Sequence, residues 1–209
     1  MAVRDFFSDD ARKQVGDAVE AIEHDSEVEV VVTVRKSAGH YRQTDLYAGC
    51  AFALAMLVFV LFDPHPFATE WIPVDVVVAF LVGGGLSLEV TPLRRALTSP
   101  RLRERAANLS AHSAFYTLGV SHTTGRTGVL VFVTMFEQKV VVVPDVGVKA
   151  DGMGAEWTSA VAALEASVRE SQDFAVFLKA LGSLKGPLTR ALPAVGGHKN
   201  QLANEPVMS

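Results

Sequence analysis

Cysteine is nearly missing from this chain. Cys50 is its one example, so neither an intramolecular disulfide nor a cysteine-cluster metal site can form within it. An excess of basic residues is missing as well. With 19 Lys and Arg against 23 Asp and Glu, the formal net charge is -4, and no basic stripe interleaved with aromatics runs through the sequence. That excludes nucleic acid as a partner class. No GxxxxGKS/T, HExxH, GxSxG or EF-hand loop occurs, so the common nucleotide, zinc-protease, hydrolase and calcium motifs are absent. The N-terminal stretch, MAVRDFFSDD, lacks the apolar core of a secretory signal and is acidic where a transit peptide would be basic. A reducing compartment fits these absences.

What the chain has in excess is apolar residues. They make up 49% of it, and the mean hydropathy is +0.26, too high for an ordinary soluble domain of this size. The excess is concentrated between Leu46 and Val90, which is almost free of charge. Residues 46–62 read LYAGCAFALAMLVFVLF, close to the ~20 needed to cross ~30 Å of hydrocarbon. A second run covers residues 71–88 and contains Asp75, one turn from its end, where the carboxylate can reach headgroups rather than the bilayer centre. Between them, Asp63-Pro64-His65-Pro66 stops the first helix. The pattern predicts a transmembrane helical hairpin inserted into a soluble domain. Buried core helices of a soluble protein are the competing account, and they fail on size, because so little other sequence is available to cover two helices that are apolar all round.

Basic residues set the expected orientation. The inter-helix loop has none; Arg35, Lys36 and Arg42 precede the first run, and Arg94, Arg95, Arg101, Arg103 and Arg105 follow the second. Both termini are therefore expected in the cytoplasm, with the chain a multi-pass protein of the cytoplasmic (inner) membrane. Tyr47 and Trp71 stand where interfacial anchors belong, Arg94 and Arg95 are placed to contact anionic lipid headgroups, and Gly83, Gly84 and Gly85 suit close helix packing.

The flanking segments, residues 1–45 and 91–192, carry ordinary secondary-structure signals. Ser8 is a candidate N-cap ahead of Asp9 and Asp10, and Ala11, Val15, Ala18, Val19 and Ile22 recur at helical spacing. The run EVEVVVTVR from Glu27 to Arg35 reads as a strand, with Glu27 on its solvated face. Pro100 precedes a basic helix expected to carry Leu102, Ala106, Leu109, Ser113 and Tyr116 on one face and to end near Gly119. Residues 128–135 and 139–143 suggest an antiparallel hairpin with Glu137 at its exposed tip. Trp157, Val161, Leu164 and Val168 mark a further helix; Asp173 caps another, which Pro187 closes. Residues 193–209 show no periodicity and are expected to form a disordered tail. The fold class is thus an α/β (α+β) sandwich, a small sheet of three to four strands flanked by helices and interrupted by the hairpin.

Arg126 to Gly147, RTGVLVFVTMFEQKVVVVPDVG, resembles the central signature of the TPM domain family, with Ser26-Glu27-Val28 similar to that family's strand entry and Trp157 to its helix-opening tryptophan. Glu27, Gly128, Glu137, Asp145, Gly147 and Trp157 match recurrent positions, whereas Gln138 stands where an Arg is common. Some bacterial members also look like this chain in carrying two inserted membrane spans. The resemblance implies the fold and a membrane or envelope protein as partner. It also brings in relatives linked to acid-phosphatase activity, divalent-cation binding, photosystem repair and receptor assembly. From those come two expectations: a noncatalytic partner-binding or assembly module, or a weak phosphatase dependent on Ca2+ or Mg2+, with Asp145, Asp151 and Glu156 holding the cation. An Asp-x-Gly after a strand is also an ordinary turn, and acids ahead of a helix also serve its dipole. His122, beside Ser121 and Thr123, has no spacing that identifies a nucleophile.

Overall fold

β-branched residues dominate three segments, and each forms a strand: β1 (Glu29–Arg35), β2 (Gly128–Thr134) and β3 (Lys139–Pro144). The computed structural model describes residues 5–64, 68–194, 201, 202, 204 and 206–208. In it, β1 and β2 pair in parallel from Glu29 opposite Gly128 to Arg35 opposite Thr134, and β2 pairs antiparallel with β3. A two-residue strand, β4 (Val207–Met208), lies parallel on the other edge of β1, giving the order β3-β2-β1-β4. The helices in chain order are α1 (Asp9–His24), α2 (Arg42–Phe62), α3 (Ile72–Glu89), α4 (Thr91–Leu97), α5 (Pro100–Thr117), α6 (Gly154–Ala166), α7 (Phe174–Gly182) and α8 (Lys185–Ala191). Contacts divide the chain into two compact units, Met1–Ala38 with Glu104–Ser209, and Gly39–Arg103.

In the first unit the sheet is covered on both faces, which is why β2 is buried along its whole length and reads as a continuous apolar run. Val30, Val32, Val34, Val129, Val131 and Val133 point to one face, against Val15, Val19 and Ile22 of α1 and Leu164, Phe177, Leu181 and Leu188 of the C-terminal helices. Val31, Leu130 and Phe132 point to the other, against Ala111, Ala114 and Phe115 of α5. The Ser8 side chain accepts the Ala11 N–H at 3.0 Å and caps α1; Asp173 caps α7 through the Ala175 N–H at 2.8 Å.

Four expectations change here. The buried face of α5 is Ala107, Ala111, Ala114 and Phe115, while Leu109 is 75% and Tyr116 65% exposed; small residues let the helix approach the sheet closely. Glu137 is buried, not exposed, because its Oε1 turns back to accept the Ala38 N–H at 2.9 Å and the Ser37 hydroxyl at 3.2 Å. Pro187 does not close a helix. It sits in the first turn of α8, where its missing N–H costs nothing. The tail, expected to be disordered, supplies β4; the expectations for residues 195–200 fall outside the described residues, as does the proline turn at 65–67.

The second unit is built on α2 and α3. Their mean hydropathies are 2.1 and 1.7 over 18-residue windows, and only 17% and 11% of those windows is buried. Both are long and apolar enough to cross a membrane. They touch where side chains are smallest: a Cβ on Gly49 would fall 2.9 Å from Phe80, and one on Gly83 2.6 Å from Phe52. Nothing lies within 4 Å of a Cβ on Gly85, so the glycine run is used at its first position. At the charged end of the pair, Arg94 donates to Asp45 at 2.7 Å, and Ser87 donates to the other oxygen of Asp45 at 2.9 Å. Thr44 and Thr98 hydroxyls meet at 3.1 Å.

Candidate functional site

The Asp-x-Gly after β3 is a tightly built polar locus of the first unit. Asp145 ends the sheet, its own N–H donating to Gly128 O at 2.8 Å. Its carboxylate accepts Arg126 Nε at 2.6 Å, Arg126 Nη2 at 2.9 Å and the Val146 N–H at 2.8 Å. Burial opposes the charge on Asp145, but the Arg126 bridge and the Val146 N–H together outweigh it and hold the carboxyl below its usual range. Both glycines of the motif have a physical cause. A Cβ on Gly147 would lie 2.2 Å from Gly125 O, and one on Gly128 would lie 2.4 Å from Val120 O, backbone atoms that cannot step aside. Arg126 adopts a left-handed φ of 58° to reach Asp145 across this crossing.

Around that pair the surface is apolar. Val146 is 75% exposed beside Asp145, and exposed Tyr116, near the end of α5, lies close to Arg126. A cleft of about 400 Å3 opens on the following turns, lined by Val148, Lys149, Met153, Pro187 and Leu192, with Arg190 contributing to the lining and paired to Glu156.

The residues singled out in the sequence do not gather. Asp145 is committed to Arg126; Asp151 is exposed on a 3-10 turn; Glu156, in the first turn of α6, pairs with Arg190. Among the described residues no three His, Cys, Asp or Glu side chains form a group able to hold a metal ion. A divalent cation at Asp145 would compete with a guanidinium already on both carboxylate oxygens, so these residues do not fit such a site. Glu27 is half-buried ahead of β1, which starts two residues after it, and its N–H donates to Leu192 O at 3.0 Å. Trp157 is buried in the core as α6 begins. Arg94 is engaged with Asp45, and Arg95 is half-buried on α4.

No family model matches the sequence, and no curated protein does. A solved structure does. The fold is similar to the NMR structure of BA42 protein from the psychrophilic bacterium Bizionia argentinensis, with a TM-score of 0.57 and 12% identity over 97% of this chain and 94% of that one. BA42 is a TPM-domain-like fold protein. At this identity the likeness is one of fold, and it carries no activity across.

Three polar residues of consequence are not singled out by the sequence as site residues. Arg126 has no local signature, because its partner is 19 positions away. Glu23 and Glu29 are buried acids. Glu23 Oε1 accepts the Val30 N–H at 2.9 Å, yet burial, with Glu29 adding to it, pushes its pKa up to about 7. The available signal was an acid directly followed by VVV in the first strand, where both faces must be dry.

Proposed function

We propose that this chain is a noncatalytic, membrane-tethered binding module of the TPM domain type, held in the cytoplasmic membrane by the α2–α3 hairpin and recognising a membrane or envelope protein with its sheet-bearing unit. One observation carries the reading: Asp145, the acid best placed for cation chemistry, is spent on fixing a loop that presents Arg126 and exposed Val146, with exposed Tyr116 of α5 close by. Aromatic and Arg side chains beside aliphatic ones are the composition of a protein-recognition centre. The cleft beside Val148 and Met153 extends that surface with further apolar lining. Burial of the guest there needs no cofactor.

Calorimetric titration of Ca2+ and Mg2+ into the purified protein in detergent, wild type against Asp145→Ala, tests this reading. The expected result is no saturable heat that depends on Asp145. Saturable binding abolished by the substitution would overturn the module in favour of the second reading, a metal-dependent phosphatase, and a phosphatase screen would follow.

A further inference from the structure

α5 presents two faces of opposite make-up. Its inward face is built from Ala107, Ala111 and Ala114, which are buried with Phe115. Its large apolar residues point the other way. Leu109 and Tyr116 are seven positions apart, about two turns of one helix, so they stand on a single line opposite the alanines, and both are more than half exposed. A helix held by one face alone calls for polar side chains along that outward line. Tyr116 is also fixed in place, because its ring meets the buried Phe115 ring edge-on, with centroids 5.4 Å apart and planes at 87°. An exposed aromatic held by a core residue loses little freedom when something covers it.

The line has one charged flank. Arg105, exposed one turn before Leu109, forms no ion pair among the described residues. Glu104, its neighbour in sequence, is turned to β3, where it holds Lys139 at 3.7 Å. No acid occurs from Arg105 to Thr117, so nothing along this line balances the guanidinium. A second copy of the chain would bring no acid on its own α5, so the face has no charge complement in itself. A bilayer surface is a poor occupant too, since interfacial helices carry a broad apolar face and here His112 and Ser113 stand exposed between the two large side chains. A strip this narrow fits a second helix packed along it, ridge into groove, with roughly 8–10 Å between axes.

We propose that the outward face of α5 from Arg105 to Tyr116 is the docking surface for one amphipathic helix of a protein partner, with the guest's apolar seam on Leu109 and Tyr116 and an acid on its flank against Arg105. The inference rests on the binding-module reading and deepens it, because Tyr116 already borders the surface that Arg126 and Val146 present. Chemistry defines the guest. It repeats apolar residues every three to four positions over at least two turns, which lets them cover both Leu109 and Tyr116. It carries Asp or Glu beside the end of that seam, where a basic residue would be repelled by Arg105.

The test uses the full chain in its native membrane. Benzoylphenylalanine, a photo-crosslinking residue, replaces Leu109, Ser113 or Val146 in turn, with exposed Arg12 of α1 as the control position, and the adducts formed on irradiation are mapped by mass spectrometry. The expected result is one protein adduct shared by Leu109 and Ser113 and absent at Arg12, its crosslinked segment an acidic amphipathic helix. A synthetic peptide of that segment is then the probe for the purified chain in detergent micelles. Leu109→Ala is expected to weaken its binding about ten-fold and Tyr116→Ala about thirty-fold. Arg105→Glu is expected to weaken it about ten-fold, and a peptide with Lys in place of the facing acid to recover the loss on that variant alone. All three side chains are exposed, so unchanged urea midpoints are expected to show the fold intact. Adducts with lipid alone, or with a second copy of the chain, would overturn the partner assignment. A peptide that fails to bind, or a charge reversal without recovery, would overturn the docking chemistry. A protein adduct at Val146 with none at Leu109 or Ser113 would remove α5 from the surface and leave the binding-module reading standing, whereas no protein adduct at any of the three positions would sink both.

Discussion

Acids buried in the first unit have opposite fates, and the difference is the partner each one finds. Asp145 meets a guanidinium with both oxygens and stays charged, so its pairing stabilises the fold at neutral pH and is lost only as pH falls through its lowered pKa. Glu23 meets one backbone N–H, an amide and another acid, which do not offset its burial, and its pKa rises from 4.5 to about 7. Across that window the folded chain holds a proton that the unfolded chain has released. Stability attributable to Glu23 is therefore fully present below pH 4.5 and falls as pH rises to about 7, by on the order of 2 to 3 kcal/mol once residual screening is allowed for. Glu23→Gln keeps an oxygen for the Val30 N–H and has no proton to lose. Urea midpoints of the purified chain should fall between pH 5 and pH 8 in the wild type and stay nearly level in Glu23→Gln, with the variant the more stable at pH 8. A wild-type midpoint that does not fall would show that Glu23 is ionised without penalty.

Elements differ in how openly their sequences announce them. α1 was legible because Ser8, Asp9 and the Ala11–Val15–Val19–Ile22 stripe all point to one helix, and the structure caps and buries those residues. The β2–β3 hairpin was legible because two valine-rich runs flank a short turn at residues 135–138. α5 was legible as a helix but not in its orientation, since hydrophobicity ranks Leu109 and Tyr116 above Ala107 and Ala111 while close approach to a sheet selects the alanines. β4 was illegible: a short edge strand rests on backbone groups of β1 that belong to another part of the chain. Glu137 and Arg126 were missed for the same reason, each being explained by a partner distant in sequence. The same logic separates the glycines of α3. Gly83→Leu must push a side chain into Phe52 and should cost about 1 to 3 kcal/mol of hairpin stability, whereas Gly85→Leu, with open space around it, should be neutral. Thermal unfolding of both variants in detergent micelles would check this, and equal losses would mean that α2 and α3 do not meet at Gly83.

At the scale of the whole molecule, the issue is which solvent the exposed faces of α2 and α3 meet. Leu54, Leu61, Val77, Leu81 and Leu88 are all more than half exposed, and two helices with so much uncovered aliphatic surface would aggregate in water; a bilayer removes the conflict. Charge then sets the proposed direction. Residues 63–70 carry no Lys or Arg, while Arg94, Arg95, Arg101, Arg103 and Arg105 crowd the chain after α3, and basic flanks are retained on the cytoplasmic side. Asp75 agrees, because it falls in the first turn of α3, where headgroups and water are within reach. In the proposed topology the sheet-bearing unit, continuous in sequence with both flanks, faces the cytoplasm. With Cys50 replaced by Ser, a cysteine introduced at Thr69 should react with a membrane-impermeant maleimide only from the outer side of sealed vesicles. One at Gly152, where a side chain meets nothing within 4 Å, should react only from the inner side. Thr69→Cys labelled only from the cytoplasmic side would overturn the hairpin topology. Labelling of both positions from the outer side would keep the hairpin and reverse its orientation, moving the proposed recognition surface to the opposite face of the membrane.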